Sequence, residues 1–442
     1  MDTSHLDPRL PLIQNADLTD KVVLVRVDHN VVKKGVIKDP YRIDRTMGTL
    51  YHIVERGGRP ILMTHIGRPR DKKTGTIKIS DQDGVGPIVD YLEHKLHVNF
   101  HVPRFNADGD AGIGAIETSI NLDIKRLRRH EISGIYLPNT RWFAGEEAKD
   151  ERRDRLARQL AGLADVFIND AFGSWQPHAS TVDVTRYLPS FAGFLMQEEI
   201  LSLGKVLAPE KPFLAVVAGA KFDTKIEPLK ALYPQVDYLV LGGVMYNAYL
   251  AAKYDVHIAG VSDDDMAAAR DLVEMDRQAA KIVELPFIVE SDTLEGRREG
   301  QYRTVNVRDF KAGRKLNYIL DVDPASFEDP AVRDKILNAQ TIFVNAVMGF
   351  TPHFTAGSRT LDEIIDRNDH ARKMYGGGDT LQEFKDLCPG LFLSVMHDAD
   401  YYFFTGGGTV LKALQEHTPY GLPPVKALMD NSGQDPAAGE AD

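Results

Sequence analysis

Cysteine occurs once in these 442 residues, at Cys388. An intramolecular disulfide framework is therefore excluded, and a reducing, cytoplasmic setting is the expectation. The lone thiol reads as a small apolar filler rather than a nucleophile. Long apolar runs are missing too. No eighteen consecutive apolar residues occur, so no membrane-spanning helix is expected. The opening MDTSHLDPRLPLIQNADL lacks the basic-then-apolar layout of a secretion signal. Positive charge is in deficit: 53 Lys and Arg face 64 Asp and Glu, a net charge of −11. That balance argues against nucleic acid or a membrane surface as partner, and any cationic site must be local. Two phosphate-binding signatures, GxxxxGK(S/T) and GxGxxG, are also absent.

What is present is a series of short apolar runs bounded by turn residues. The first half carries KVVLVRVD (21–28), RPILMTHI (59–66), GIYLPN (134–139) and ADVFIND (164–170). The second carries PFLAVVAG (212–219), DYLVLGG (237–243), LPFIVESD (285–292), TIFVNAVMG (341–349), MYGGG (374–378) and DYYFFTGGG (400–408). Continuous rather than alternating apolarity is what strands covered on both faces require, hence parallel sheets. Stretches such as ERRDRLARQLAGLA between them carry helical spacing. The length exceeds one ordinary core. The expected fold is α/β: two doubly wound, Rossmann-like parallel-sheet domains joined by a hinge helix over 191–212. The expected boundaries are 1–195 and 196–412, with 413–429 returning to the first domain and 430–442 a polar, disordered tail. Residues 70–84 and a second polar stretch near 104–128 read as loop insertions.

In open α/β sheets ligands bind beyond the carboxyl ends of the strands. The residues just past each strand therefore carry the most information. In the first half these are Asp28 and Asn30, His65 and Arg68, Arg141, and Asn169, Asp170 and His178, with Arg42 in a further loop. Three arginines and two histidines gathered at one sheet edge would form a cationic basin for phosphate or carboxylate. Solvated or Asp-paired arginines are the bland alternative. In the second half the post-strand residues are Gly219, Lys221, Lys225, Gly242, Gly243 and Asn345, then two triple-glycine turns, each opening a helix. Glycines there let backbone N–H groups approach phosphate oxygens, and the helix dipole adds to the attraction. Asp379 stands where it could cap its helix or hold a Mg²⁺ that bridges phosphates. An anion site in one half and a phosphate site in the other suit a kinase.

These residues resemble the phosphoglycerate kinase family over roughly 15–425. The matching stretches are RVDHN, YRID, THIGRP, LPNTRWFAGEE, ADVFINDAFG, HAST, AGFLM, GAKFDTK, VNAVMG, YGGGDT and FTGGGTVLKAL. The resemblance implies transfer of the terminal phosphoryl group between Mg–ATP and the carboxylate of 3-phosphoglycerate in a monomer that closes about its hinge. Asp28, Asn30, Arg42, His65, Arg68, Arg141, Gln176 and His178 would then bind the acid. Gly219, Lys221, Lys225, Gly242, Gly243, Asn345, Gly377, Gly378, Asp379 and Thr380 would bind the nucleotide, with Asp379 on the metal. Arg42, Lys221, Lys225, Gly378 and Gly407 would act at the transfer itself.

The chain departs from that family's pattern at several places. Gln176 replaces a substrate arginine, and Pro352 stands where an acidic residue meets the ribose. Asp323 replaces a glycine of the adenine site, Ala218 another glycine, Thr224 an aspartate and His29 a phenylalanine. The departures cluster at nucleotide-sugar and base contacts and at one acceptor contact, while Arg42, Lys221, Lys225 and Asp379 remain. A related carboxylate kinase with another acceptor or nucleotide, or a non-catalytic binding protein, stays open on the sequence alone.

Overall fold

The computed structural model describes residues 2–219 and 226–431. The described residues form two compact units, divided between 201 and 202 and again between 418 and 419, with the segment from 419 onward in the first unit. The divisions thus fall six residues beyond the expected 195 and 412. Residues 413–416 still belong to a helix of the second unit, Gly407–Glu416.

In the first unit, strands β1 (Val22–Val27), β2 (Arg59–Met63), β3 (Phe100–His101), β4 (Gly134–Tyr136), β5 (Val166–Asp170) and β6 (Ser190–Ala192) form one sheet. Their order is β3-β4-β2-β1-β5-β6, parallel throughout. All six residues of β1 are buried, as its unbroken apolarity requires. Leu24 pairs with Ile61 on one side and Phe167 on the other. The chain therefore winds outward from β1 in both directions, and the crevice at such a switch point lies beside β1. Helix Glu151–Ala161 shows why the intervening segments are helical. The Asp150 carboxylate accepts from Arg152 N–H, and Leu156, Ala157, Leu160 and Ala161 form the buried stripe. The returning C-terminal segment is tied to this unit: Asp7 N–H donates to Tyr420 Oη at 2.8 Å and Asn431 Nδ2 to Thr185 Oγ1 at 2.7 Å.

In the second unit, β7 (Phe213–Gly219), β8 (Tyr238–Gly242), β12 (Thr341–Asn345), β13 (Arg372–Gly376) and β14 (Tyr401–Phe404) form a parallel sheet ordered β8-β7-β12-β13-β14. The run LPFIVESD does not join it. Strand β9 (Phe287–Ser291) instead pairs antiparallel with β10 (Tyr302–Asn306) and β11 (Tyr318–Val322) in a separate three-stranded sheet. Only residues 292–301 link β9 to β10, too few for the crossover that parallel pairing demands.

Two further expectations need correction. The hinge helix spans Phe194–Leu207 rather than 191–212, because 190–192 are strand β6. Its first turn is held by Thr49 Oγ1 accepting from Phe194 N–H and by Asp170 Oδ1 accepting from Met196 N–H. The polar stretch 104–128 is loop only at its start, since Ile120–Arg128 is helical. Among the described residues, no helix is long and apolar enough to cross a membrane. Cys388 is buried, and that burial pushes its thiol up to about 11.

Candidate active site

The loops that follow β1, β2 and β4 are sewn together. Asn30 Oδ1 accepts from Gly67 N–H at 2.9 Å. Asn139 Oδ1 accepts from Ile66 N–H at 3.0 Å, and its Nδ2 donates to Ile66 O at 2.8 Å. These bonds bring Asp28, His65, Arg68 and Arg141 to one edge of the sheet. Asp28 is buried; its Oδ2 lies 3.3 Å from Arg42 Nη1, while Oδ1 is buried without a partner. Arg141 Nε lies 3.2 Å from Glu147, and Arg141 Nη1 donates to Gly67 O. His178 Nε2 lies 3.8 Å from the same Glu147 oxygen. Gln176 is exposed, and its backbone carbonyl accepts from Thr181 Oγ1.

Two arginines of the expected cationic basin are ion-paired, as the paired alternative allowed. Arg42 and Arg141 carry carboxylate partners, so an incoming anion must compete with Asp28 and Glu147. Arg68 is exposed and forms no ion pair with the described residues. The cationic form of both histidines is disfavoured. Burial, then Arg26 and Arg141, hold His65 well below its ordinary range, and burial also lowers His178. Arg26 escaped the sequence reading. It lies wholly buried inside β1, with Nη2 3.0 Å from His65 Nδ1. Its one signal was a cation inside an otherwise apolar strand.

In the second unit a cleft of about 840 Å³ opens at the carboxyl ends of the strands. Gly219, Gly243, Asn345, Gly377, Gly378, Asp379 and Thr380 line it. Its geometry explains the doubled glycines. The turn before helix Gly378–Leu387 lies directly against the turn before helix Gly407–Glu416. A Cβ on Gly407 would fall 2.5 Å from Gly377 Cα and N. Gly377 itself has φ +119°, a conformation that favours glycine. The Asn345 amide packs on both turns and donates to Gly376 O. Two helix N-termini therefore emerge side by side, a backbone arrangement suited to phosphate.

Asp379 does not cap its helix. Gly377 holds the N-cap position without a side-chain bond, and the exposed Asp379 carboxylate sits within the first turn. That leaves it fit for a hard cation such as Mg²⁺, which takes one or two carboxylates and completes its shell with phosphate and water oxygens. The described lining includes no Lys or Arg but does include Asp321, Asp379, Glu383 and Asp386. Burial and these neighbours push Glu383 up to about 7, and burial pushes Asp321 up to about 6. Asp321 accepts from Ala356 N–H at 2.9 Å, holding the start of helix Ala356–Asp366. Asp323 does not line the cleft; its carboxylate accepts from Thr304 Oγ1 and from Ala325 N–H. Lys221, Thr224 and Lys225 lie outside the described residues.

Two α/β units with parallel sheets define the molecule: one gathers Arg42, Arg68 and Arg141 at its sheet edge, the other opens a glycine-walled cleft. That is the architecture of a two-domain kinase. The family model for phosphoglycerate kinase matches residues 13–417, and the chain belongs to that family. It is 32% identical to the phosphoglycerate kinase of Dictyoglomus turgidum over 95% of this chain and 98% of that one. It is 33% identical to that of a Roseiflexus species, with the same coverage. The solved phosphoglycerate kinase of Coxiella burnetii superposes with a TM-score of 0.71 at 25% identity, covering 96% of this chain and all of that one.

Proposed function

We propose that this chain moves the terminal phosphoryl group between ATP and the carboxylate of 3-phosphoglycerate. The observation that carries the reading is the pair of abutting glycine turns with two helix N-termini in one cleft. The first unit supplies the acid site. Arg42, Arg68 and Arg141 meet the charges of the acid, Asp28 and Asn30 orient its polar groups, and His65 and His178 add donors. In the second unit, Gly377, Gly378 and Thr380 at one helix N-terminus and Gly407 at the other receive phosphate oxygens. Gly219, Gly242, Gly243 and Asn345 shape the wall beside the nucleotide, and Lys221 and Lys225 meet the transferring group. Bound Mg²⁺ would neutralise phosphate charge at Asp379. Transfer of this kind depends on in-line positioning and cationic stabilisation.

A coupled assay tests the proposal. Full-length protein with ATP, Mg²⁺ and 3-phosphoglycerate is expected to form ADP, and Lys225→Ala to lower the rate at least about a hundredfold. Turnover with another phosphorylated acid alone would reassign the acceptor. Saturable binding of both ligands in calorimetry with no acyl phosphate formed would make the chain a binding protein.

Gln176→Arg is a second test. An added guanidinium in the acid site gives a charge-assisted hydrogen bond of about 1.5–3 kcal/mol, so the acid Kd is expected to fall about tenfold or more. An unchanged Kd would place Gln176 outside the acid site.

A further inference from the structure

Arg26 and His65 meet in a way that fixes the chemistry of the imidazole. A guanidinium carries five N–H donors and no acceptor, and it stays charged. Its Nη2 lies 3.0 Å from His65 Nδ1, so Nδ1 must present its lone pair. Arg26 has no freedom to turn away. It is wholly buried, and its Nη1 donates to Val27 O at 2.8 Å and faces Met63 O at 3.4 Å. Ser174 Oγ approaches the same Nδ1 at 3.5 Å. No bond among the described residues engages Nε2.

We propose that Arg26 is a positioning residue that fixes His65 as the neutral tautomer with its single proton on Nε2. The sheet edge then offers a neutral N–H donor at this point rather than a cation. The other groups acting on the ring push the same way: Arg42, Arg141 and His178 all disfavour an imidazolium. The consequence is a division of labour. Charge for the anion comes from arginines, which cannot titrate, and orientation comes from a histidine that has been stopped from titrating. Recognition by this donor then stays constant across the pH range in which an ordinary histidine switches. The inference rests on reading these loops as the acid site.

The test uses the full chain with ¹⁵N-labelled histidine and no added ligand, with the His65 signals assigned by comparison with His65→Asn. Long-range ¹H–¹⁵N correlations are expected to show the Nε2–H neutral form from about pH 5.5 to 8.5. A proton on Nδ1, or an imidazolium near pH 6.5, would overturn the proposal. Arg26→Gln keeps an amide donor but removes the charge. It is expected to raise the His65 midpoint by at least about one pH unit, while Arg26→Lys keeps it low. A merely structural Arg26 would leave that midpoint unmoved in folded Arg26→Gln. Should the variant fail to fold, the wild-type spectrum decides alone. Calorimetry with 3-phosphoglycerate separates the two layers: a protein with the Nε2–H tautomer but no acid binding would remove the acid-site reading and leave the tautomer assignment standing.

Discussion

Gly407→Ala is expected to disable nucleotide use while sparing acid binding. The new Cβ would fall 2.5 Å from the Gly377 backbone and 2.8 Å from Asn345 Nδ2. Backbone cannot rotate aside as a side chain can, so the two glycine turns must separate. The two helix N-termini then no longer converge on one set of phosphate oxygens. Displacing such donors by about 1 Å costs on the order of a hundredfold in kcat/KM for the nucleotide. Overpacking of this kind also lowers stability by about 1–3 kcal/mol. The acid Kd is expected to hold, because Arg42, Arg68 and Arg141 belong to the other unit. Gly390→Ala is the control. It lies in helix Pro389–Val395, and its Cβ would meet nothing within 4 Å, so nucleotide kinetics should match wild type. A wild-type nucleotide KM and kcat in Gly407→Ala would show that the turns do not form the phosphate cradle.

The parallel sheets were readable because strands buried on both faces need continuous apolar runs, and VVLVRV or TIFVN can serve little else. LPFIVESD carried the same signal into an antiparallel sheet. Continuous burial does not reveal partner direction, and the short link to Tyr302–Asn306 was the better clue. The glycine turns announced themselves as a pair, yet their mutual contact did not, since Gly377 and Gly407 meet only once β13 and β14 lie side by side. Residues at or just past strand ends, such as Asn345 and Asp28, could be placed at a sheet edge from the sequence. Residues defined by tertiary pairing could not: Arg26 meets His65 from 39 positions away, across two neighbouring strands that no local pattern connects. At Asp379 the local position allowed either a cap or a metal ligand, and the glycine before its helix holds the cap position.

His29 places a titratable ring among the buried residues of the first unit, and its effect should be visible in acid. Its ring is wholly buried between Tyr136 Oη and Thr46 Oγ1, each at 3.0 Å. Thr46 donates its own proton to Ile43 O, so it must accept from His29 Nε2–H, and Tyr136 must donate to Nδ1. Every group in the chain is satisfied by a neutral imidazole. Burial, then Arg26, pushes His29 down to about 3. Between about pH 6.5 and 3 the unfolded chain binds a proton that the folded one refuses. Stability from this residue is therefore fully present above about pH 6.5 and is lost as pH falls, at about 1.4 kcal/mol per unit. His29→Phe removes that dependence but strands the Tyr136 hydroxyl, costing about 1–3 kcal/mol at neutral pH. The variant is thus expected to be weaker than wild type at pH 7.5 and to overtake it between about pH 4 and 6. Both tryptophans, Trp142 and Trp175, lie in the first unit, so fluorescence-monitored denaturation reports the unit in question. Wild-type and variant stabilities that stay parallel from neutral to acid pH would mean that His29 takes up its proton in the folded core.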